Sequence, residues 1–273
     1  MMTRSVRRTR RMLQLAGAGA AALMALSACS SSGDSSTKPA KAGTASPKLS
    51  GTVTVFAAAS LKESFTALGK QFEQAHPGTK VSFNFGGSDT LAASITGGAP
   101  ADVFAAASPK TMAIVTARKD AAGTPATFVR NQLEIATLPG NPDKVTTLKD
   151  LTKSGLKVVL CDKTVPCGTA AQKALDAADL KLTPVSYEQD VKSALNKVEL
   201  KEADAAVVYK TDVHAAGEKV QGVQFPESAK AINDYPIVLL KNAPNTRTAK
   251  AFIALVQSPE GQKVLSQAGF LKP

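Results

Sequence analysis

The residues best suited to chemistry in this 273-residue chain stand where strand-like runs give way to helical ones. The segment Val53-Thr54-Val55-Phe56-Ala57-Ala58-Ala59-Ser60-Leu61-Lys62-Glu63 is an apolar strand that stops at a serine, with a glutamate three residues further on. This spacing predicts a capping box with Ser60 at the N-cap, its hydroxyl satisfying an orphan helix amide. The same first-turn amides, together with the positive end of the helix dipole, also make such a junction an anion site. Phe85-Gly86-Gly87-Ser88-Asp89-Thr90-Leu91 is a second junction: two glycines let backbone approach a ligand, and a hydroxyl opens the next helix. It lacks the Gly-Lys-Ser/Thr ending of a P-loop, and it is not a nucleophile elbow. A third, Thr164-Val165-Pro166-Cys167-Gly168-Thr169-Ala170, leaves a strand through Pro and Gly and enters a helix with its amides forward. At a fourth, Asp190 is a natural N-cap for the helix that begins at Val191. The fifth is a strand ending at Tyr209, whose hydroxyl is suited either to a core partner or to a ligand. Together the junctions predict hydroxyls and amides gathered beyond the carboxyl ends of parallel strands, where open α/β sheets bind ligands.

The elements that must position these groups alternate along the chain. Strand-like runs recur at 52–57, 80–85, 101–106, 133–138, 156–160, 203–209 and 236–240, with helical patterns between them. Leu61, Phe65, Leu68 and Phe72 mark one face of a helix, whereas Val81, Phe83 and Phe85 alternate as a strand does. The alternation predicts an α/β protein with parallel sheets built from βαβ units. From Leu49 onward there is chain for two lobes of roughly 100 residues each. Connections between the lobes are expected near Asn131 and Tyr235. Residues 252–270 read as two short helices broken at Ser258-Pro259 and closed by Gly269, a tail suited to packing on the first lobe.

The first 48 residues carry an address. Arg4, Arg7, Arg8, Arg10 and Arg11 precede an uncharged apolar run from Met12 to Ala28, which reads as a signal peptide over 1–28. Leu26-Ser27-Ala28-Cys29 resembles the bacterial lipobox, which would make Cys29 the lipidated first residue after cleavage. A Ser/Gly/Lys/Pro-rich tether then runs over 29–48. Thr9-Arg10-Arg11-Met12-Leu13 also resembles a twin-arginine signal, so the export route stays open between Sec and Tat. Of the three cysteines, Cys161 and Cys167 remain, and an oxidising exterior favours a disulfide between them. Their spacing matches no zinc pattern and His76 and His214 lie in unrelated segments, so no free metal cation is expected. The leader's five arginines supply much of the formal charge of +11, and the lysines are dispersed without an aromatic-rich basic motif, which argues against nucleic acid as a partner.

Several of these strings occur together in one family. Val53 to Ser60, Phe85 to Leu91, Gly97-Gly98-Ala99-Pro100-Ala101-Asp102-Val103-Phe104, Val165 to Gly168, Asp190-Val191 and Val207-Val208-Tyr209 resemble, in order, the periplasmic molybdate-binding proteins of ABC importers. The resemblance implies a two-lobed periplasmic-binding-protein type II fold with a ligand cleft between the lobes. Lobe 1 would be 49–131 plus 236–273 and lobe 2 would be 132–235. It implies that molybdate or tungstate is held by the hydroxyls of Ser60, Ser88 and Tyr209 and the amides of Cys167 and Val191, with no cofactor and no catalysis. It also implies delivery of the ligand to a membrane permease; with the leader and Cys29, the expectation is a monomer lipid-anchored on the extracytoplasmic face of the cell membrane. This chain departs from the family pattern at Gly86-Gly87, Cys167 and Thr211, none of which removes an implied donor.

Rival readings remain. Sulfate or phosphate would suit the same fold, and a protonated phosphate would call on Asp89 as acceptor. A secreted hydrolase would use Ser60 or Ser88 with a histidine base, or Cys167 as a thiolate.

Overall fold

The computed structural model describes residues 48–273, so the leader, Cys29 and the tether residues 29–47 lie outside the described part. The strands are β1 (Gly51–Ala58), β2 (Thr79–Gly86), β3 (Val103–Ala105), β4 (Ala126–Asn131), β5 (Leu133–Thr137), β6 (Val158–Cys161), β7 (Ser186–Glu188), β8 (Ala205–Tyr209), β9 (Gln221–Val223) and β10 (Asn233–Leu239). They form two five-stranded sheets, in the orders β2-β1-β3-β10-β4 and β7-β6-β8-β5-β9. The helices are α1 (Lys62–Ala75), α2 (Ser88–Thr96), α3 (Pro109–Ala117), α4 (Pro166–Ala177), α5 (Val191–Glu199), α6 (Lys210–Ala216), α7 (Thr246–Gln257) and α8 (Pro259–Gln267). The α/β expectation and its two lobes are met, and the seven strand-like runs all fall on strands. Among the described residues no helix is long and apolar enough to cross a membrane.

The sheets are not wholly parallel. β1 pairs in parallel with β2 and β3, and β6 with β7 and β8, as βαβ units require. β10, however, runs antiparallel to β3 and β4, and β5 runs antiparallel to β8 and β9. The cause lies in the connections. Only Gln132 separates β4, which leaves the first sheet, from β5, which enters the second. β10 returns beside β4 in the opposite direction, with Asn233 paired to Asn131. The strands that the sequence pattern did not reveal, β4, β7 and β9, are all sheet edges, where half-exposed positions dilute the apolar run.

Each lobe has its own core. In the first, β1 is covered on both faces, and α1 lays Phe65, Leu68 and Phe72 against the sheet. A Cβ on Gly69 would come within 2.7 Å of the Phe83 ring, so glycine sets the close approach of α1 to β2. The C-terminal tail folds as expected: Ser258 ends α7 and caps α8 by accepting from the Gly261 amide at 3.2 Å, with Pro259 at the first helical position. Phe252 of α7 is fully buried, edge-on to Phe65 at 6.0 Å and to Phe72 at 5.6 Å. In the second lobe, Ile135, Val159, Ala170, Leu195 and Val207 belong to one cluster between the sheet and its helices.

Phe252 joins the tail to the first lobe, and truncating a buried aromatic of this kind costs about 3–5 kcal/mol. Urea denaturation of Phe252→Ala is expected to show a loss of that size. A midpoint equal to that of the parent protein would mean that the tail is dispensable to the first core.

Candidate functional site

Ser60 follows β1 inside a single 3-10 turn, Ala59–Leu61, which delays the start of α1. The expected capping box is therefore not formed. Leu61 is the N-cap of α1, no side chain caps it, and Ser60 points inward with its Oγ 2.9 Å from the Tyr235 hydroxyl. Glu63, the other half of the expected box, instead forms an ion pair with Lys192 of the second lobe at 3.0 Å. At the next junction Gly87 is the N-cap of α2 and has no side chain with which to cap it. Ser88 is the first helical residue, buried, and its Oγ accepts from the Ala107 amide at 2.9 Å.

In the second lobe β6 leads into α4, which has Val165 at the N-cap without a side-chain cap and Pro166 in the first turn. The first return bond runs from the Thr169 amide to the Val165 carbonyl. The Cys167 amide lies before that bond and is left without a helical acceptor. A Cβ on Gly168 would overlap the backbone of Asp162 and Cys161, so this position packs directly on the end of β6. The Cys161–Cys167 disulfide, with Cα atoms 5.8 Å apart, ties the same two points together as expected. Asp190 caps α5 as expected, its Oδ1 accepting from the amides of Lys192 at 2.8 Å and Ser193 at 3.0 Å. The cap serves the second and third residues of the helix and leaves the amide of Val191, the first. Tyr209 ends β8 fully buried, its hydroxyl accepting from the side-chain amide of Asn233 at 2.6 Å.

The five sequence-predicted ligand residues, Ser60, Ser88, Cys167, Val191 and Tyr209, line one cavity between the lobes. Its volume of about 20 Å³ is little more than the ~10–15 Å³ that one water needs, so it suits a compact ion and not a sugar or a peptide. No lysine, arginine or histidine lines it. Asp190 does, but its carboxylate is occupied by the α5 cap. Asp89, the candidate acceptor for a protonated anion, is not in the lining. Burial raises the phenols of Tyr209 and Tyr235 above their ordinary value, so both keep their protons. The cavity thus offers hydroxyls and helix-start amides in a site without cationic side chains, an arrangement that replaces the hydration of an anion.

Other chemistry finds less support in the geometry. Neither His76 nor His214 is hydrogen-bonded to Ser60 or Ser88, and His76 instead packs at a tilt against Phe72, ring centroids 4.7 Å apart. Cys167 is held in its disulfide and is not a thiolate. Among the described residues no group of His, Cys, Asp and Glu is arranged to hold a metal ion.

The lobes meet closely around the cavity. A Cβ on Gly87 would stand 2.7 Å from the Gln189 carbonyl of the other lobe, although the Gly87 backbone, at φ −59° and ψ 132°, suits any residue. Beside this contact, Lys192 joins Glu63 across the cleft and Asp212 within its own lobe at 3.1 Å. Burial raises the Asp212 carboxyl to about 6, with Lys192 pulling it back down. Burial also opposes the charge of Lys192, but Asp212 and Glu63 outweigh it and hold its pKa above the ordinary value. Sequence reasoning missed the roles of Lys192, Asn233, Asn131 and Tyr235. Only the last two carried a signal, as the expected points of crossing between lobes.

Comparison with known proteins gives a consistent picture. A family model described as bacterial extracellular solute-binding protein matches residues 53–271. The molybdate-binding protein ModA of Mycobacterium tuberculosis (strain ATCC 25618 / H37Rv) is 43% identical over 221 residues, covering 81% of this chain and 85% of that protein. The molybdate-binding protein ModA of Escherichia coli (strain K12) is 33% identical over 235 residues, covering 81% and 89%. Among solved structures, the periplasmic molybdate-binding protein of Azotobacter vinelandii superposes with a TM-score of 0.71 at 21% identity, over 81% of this chain and 99% of that one. The sulfate-binding protein SubI from Mycobacterium tuberculosis H37Rv does so with a TM-score of 0.68 at 18% identity, over 80% and 86%. At such identities the superpositions establish the shared fold.

Two outcomes follow from the cleft geometry. Gly87→Val is expected to leave each lobe folded and to hold the cleft ajar, read as a larger radius of gyration in small-angle scattering; an unchanged radius would contradict a closure set by this contact. The second concerns pH. Asp212 binds its proton near pH 6 when folded against an ordinary 3.8, so the folded state takes up this proton first as pH falls. Its contribution to stability is complete below 3.8 and is lost as pH rises through about 6. Melting temperatures between pH 7 and pH 5 should therefore carry an upward contribution that Asp212→Asn removes, and superimposable profiles for parent and variant would refute it.

Proposed function

This chain belongs to the bacterial extracellular solute-binding protein family, and we propose that within it the protein captures molybdate, and tungstate with it, for an ABC permease. The observation that carries this reading is the small interlobe cavity lined by hydroxyls and unpaired helix-start amides with no cationic side chain. A buried dianion needs several directed donors in place of its water shell, and it needs no counter-charge if enough are supplied. The proposed donors are the hydroxyls of Ser60, Ser88 and Tyr209 and the amides of Cys167 and Val191. The similarity to molybdate-binding relatives supports molybdate over other tetrahedral anions, and tungstate shares its charge and shape. The one lining carboxylate, Asp190, is engaged by the α5 cap, which weighs against hydrogenphosphate.

The two bodies that close over the anion are residues 49–131 with 236–273, and residues 132–235. Closure and release then depend on the hinge between them. The protein is exported and anchored through a lipid on Cys29, the tether over 29–48 giving it reach to a permease. It performs no reaction on its ligand and works as a monomer. The Cys161–Cys167 disulfide keeps the loop that offers the Cys167 amide in place before the anion arrives.

Calorimetric titration of a soluble form beginning at Leu49 tests this directly. Sub-micromolar binding of molybdate and tungstate, with none of sulfate or phosphate, is the expected result, and no binding of any oxyanion would end the proposal. A hydrogen bond to a charged group contributes about 1.5–3 kcal/mol, so Ser60→Ala and Tyr209→Phe should each weaken molybdate binding by about 10- to 100-fold. Affinities within a factor of about two of the parent would remove those hydroxyls from the site.

A further inference from the structure

The cavity hydroxyls share an arrangement that concerns the direction of their protons. A hydroxyl has one proton and two lone pairs, so an oxygen that accepts from the protein keeps its proton for something else. Ser88 Oγ accepts from the Ala107 amide at 2.9 Å, and Tyr209 Oη accepts from Asn233 Nδ2 at 2.6 Å. Ser60 Oγ and Tyr235 Oη lie 2.9 Å apart, and either one by itself is able to donate. Asn131 decides between them. Its Nδ2 donates to Tyr235 Oη at 3.3 Å and to Thr211 Oγ1 at 2.8 Å. The Tyr209 hydroxyl is directed at the same Tyr235 oxygen. With Asn131 and Tyr209 both on the phenol oxygen, the best-placed acceptor for the phenol proton is Ser60 Oγ. The proton of Ser60 is then free for the cavity.

The orientation of both amides is dictated by chemistry. Asn131 Oδ1 accepts from the Gln132 amide at 2.9 Å, which leaves its nitrogen facing the hydroxyls. Asn233 Nδ2 also reaches the Pro166 carbonyl at 3.3 Å, a group that only accepts. The two asparagines are paired across β4 and β10, one on the strand that leaves the first lobe and one on the strand that returns. From that single step of the ladder they reach a hydroxyl of each lobe, Ser60 through Tyr235 and Tyr209 directly.

We infer that Asn131 and Asn233 are positioning residues that set the polarity of the cavity hydroxyls: Asn131, through Tyr235, turns the proton of Ser60 into the cavity, and Asn233 keeps the Tyr209 oxygen an acceptor, so that the Tyr209 proton, directed at Tyr235 in the empty cleft, is the one that passes to a bound ligand. This rests on the oxyanion reading above and deepens it by assigning the polarity of the site to the hinge.

Double-mutant cycles read with molybdate test the assignment. Asn233→Ala should weaken binding about 10-fold in the parent protein and less than about 2-fold in Tyr209→Phe, since the amide acts through that hydroxyl. Asn131→Ala should behave in the same way against Ser60→Ala. Equal losses in both backgrounds would overturn the inference and reduce the asparagines to hinge structure. A ligand-free readout separates this from the functional reading. In the empty protein, the side-chain amide proton that Asn233 donates to Tyr209 should exchange slowly by NMR and lose that protection in Tyr209→Phe, while the one facing the Pro166 carbonyl keeps its own. Protection that survives the substitution would overturn the inference whether or not an anion binds, and protection lost in a protein that binds no oxyanion would leave the polarity standing while the oxyanion reading fails.

Discussion

The first amides of a helix have no partner within it, and the cleft is organised around that deficit. α2 begins behind a glycine that has no side chain to cap it, and α4 begins behind a valine that cannot. α5 has an aspartate cap that serves the second and third residues and leaves the first. By contrast, Ser108 and Ser258 cap α3 and α8, whose starts do not line the cavity. βαβ connection explains how the uncapped starts come together, since it delivers each helix start to the carboxyl end of the preceding strand. Two such sheets, joined by the direct step from β4 to β5 and by the return into β10, face these ends towards each other.

Closure of the two faces is governed by contacts of different kinds. At Gly87 the limit is steric, because backbone of one lobe meets the Gln189 carbonyl of the other with no room for a side chain. At Lys192 it is electrostatic: one ammonium serves a half-exposed glutamate across the cleft and a fully buried aspartate on its own side. An exposed ion pair contributes little by itself, but a buried carboxylate requires a partner, so Asp212 holds Lys192 where Glu63 can reach it. None of these three charged residues lines the cavity itself.

The fold was largely legible because apolar periodicity survives wherever an element is covered on at least one face. Val53 and Val55 on β1 and Phe65, Leu68 and Phe72 on α1 show it plainly. It fades at β4, β7 and β9, which are edges with half-exposed residues. The antiparallel pairs were hidden for another reason: alternation of strand and helix predicts parallel pairing only where a helix connects the strands, and between β4 and β5 there is only Gln132. The Ser60 junction shows how local chemistry misleads. Serine followed three residues later by glutamate is a sound capping signal, yet a 3-10 turn intervenes and both side chains find partners more than a hundred residues away.

By itself, the sequence determined the types of groups available: hydroxyls at Ser60, Ser88 and Tyr209, amides at helix starts, two cysteines close enough to bridge, and a lack of motifs for a metal or a catalytic base. These follow from local spacing, because caps, turns and strand ends are decided within a few residues. Only the tertiary structure decided which of the groups face one cavity, how narrow it is, and in which direction the hydroxyl protons point. Those properties depend on Asn131 and Asn233 being neighbours across a ladder, and on Tyr235 reaching Ser60 from 175 residues away. Contacts at that separation are set by how two sheets pack, and no local pattern of residues encodes them.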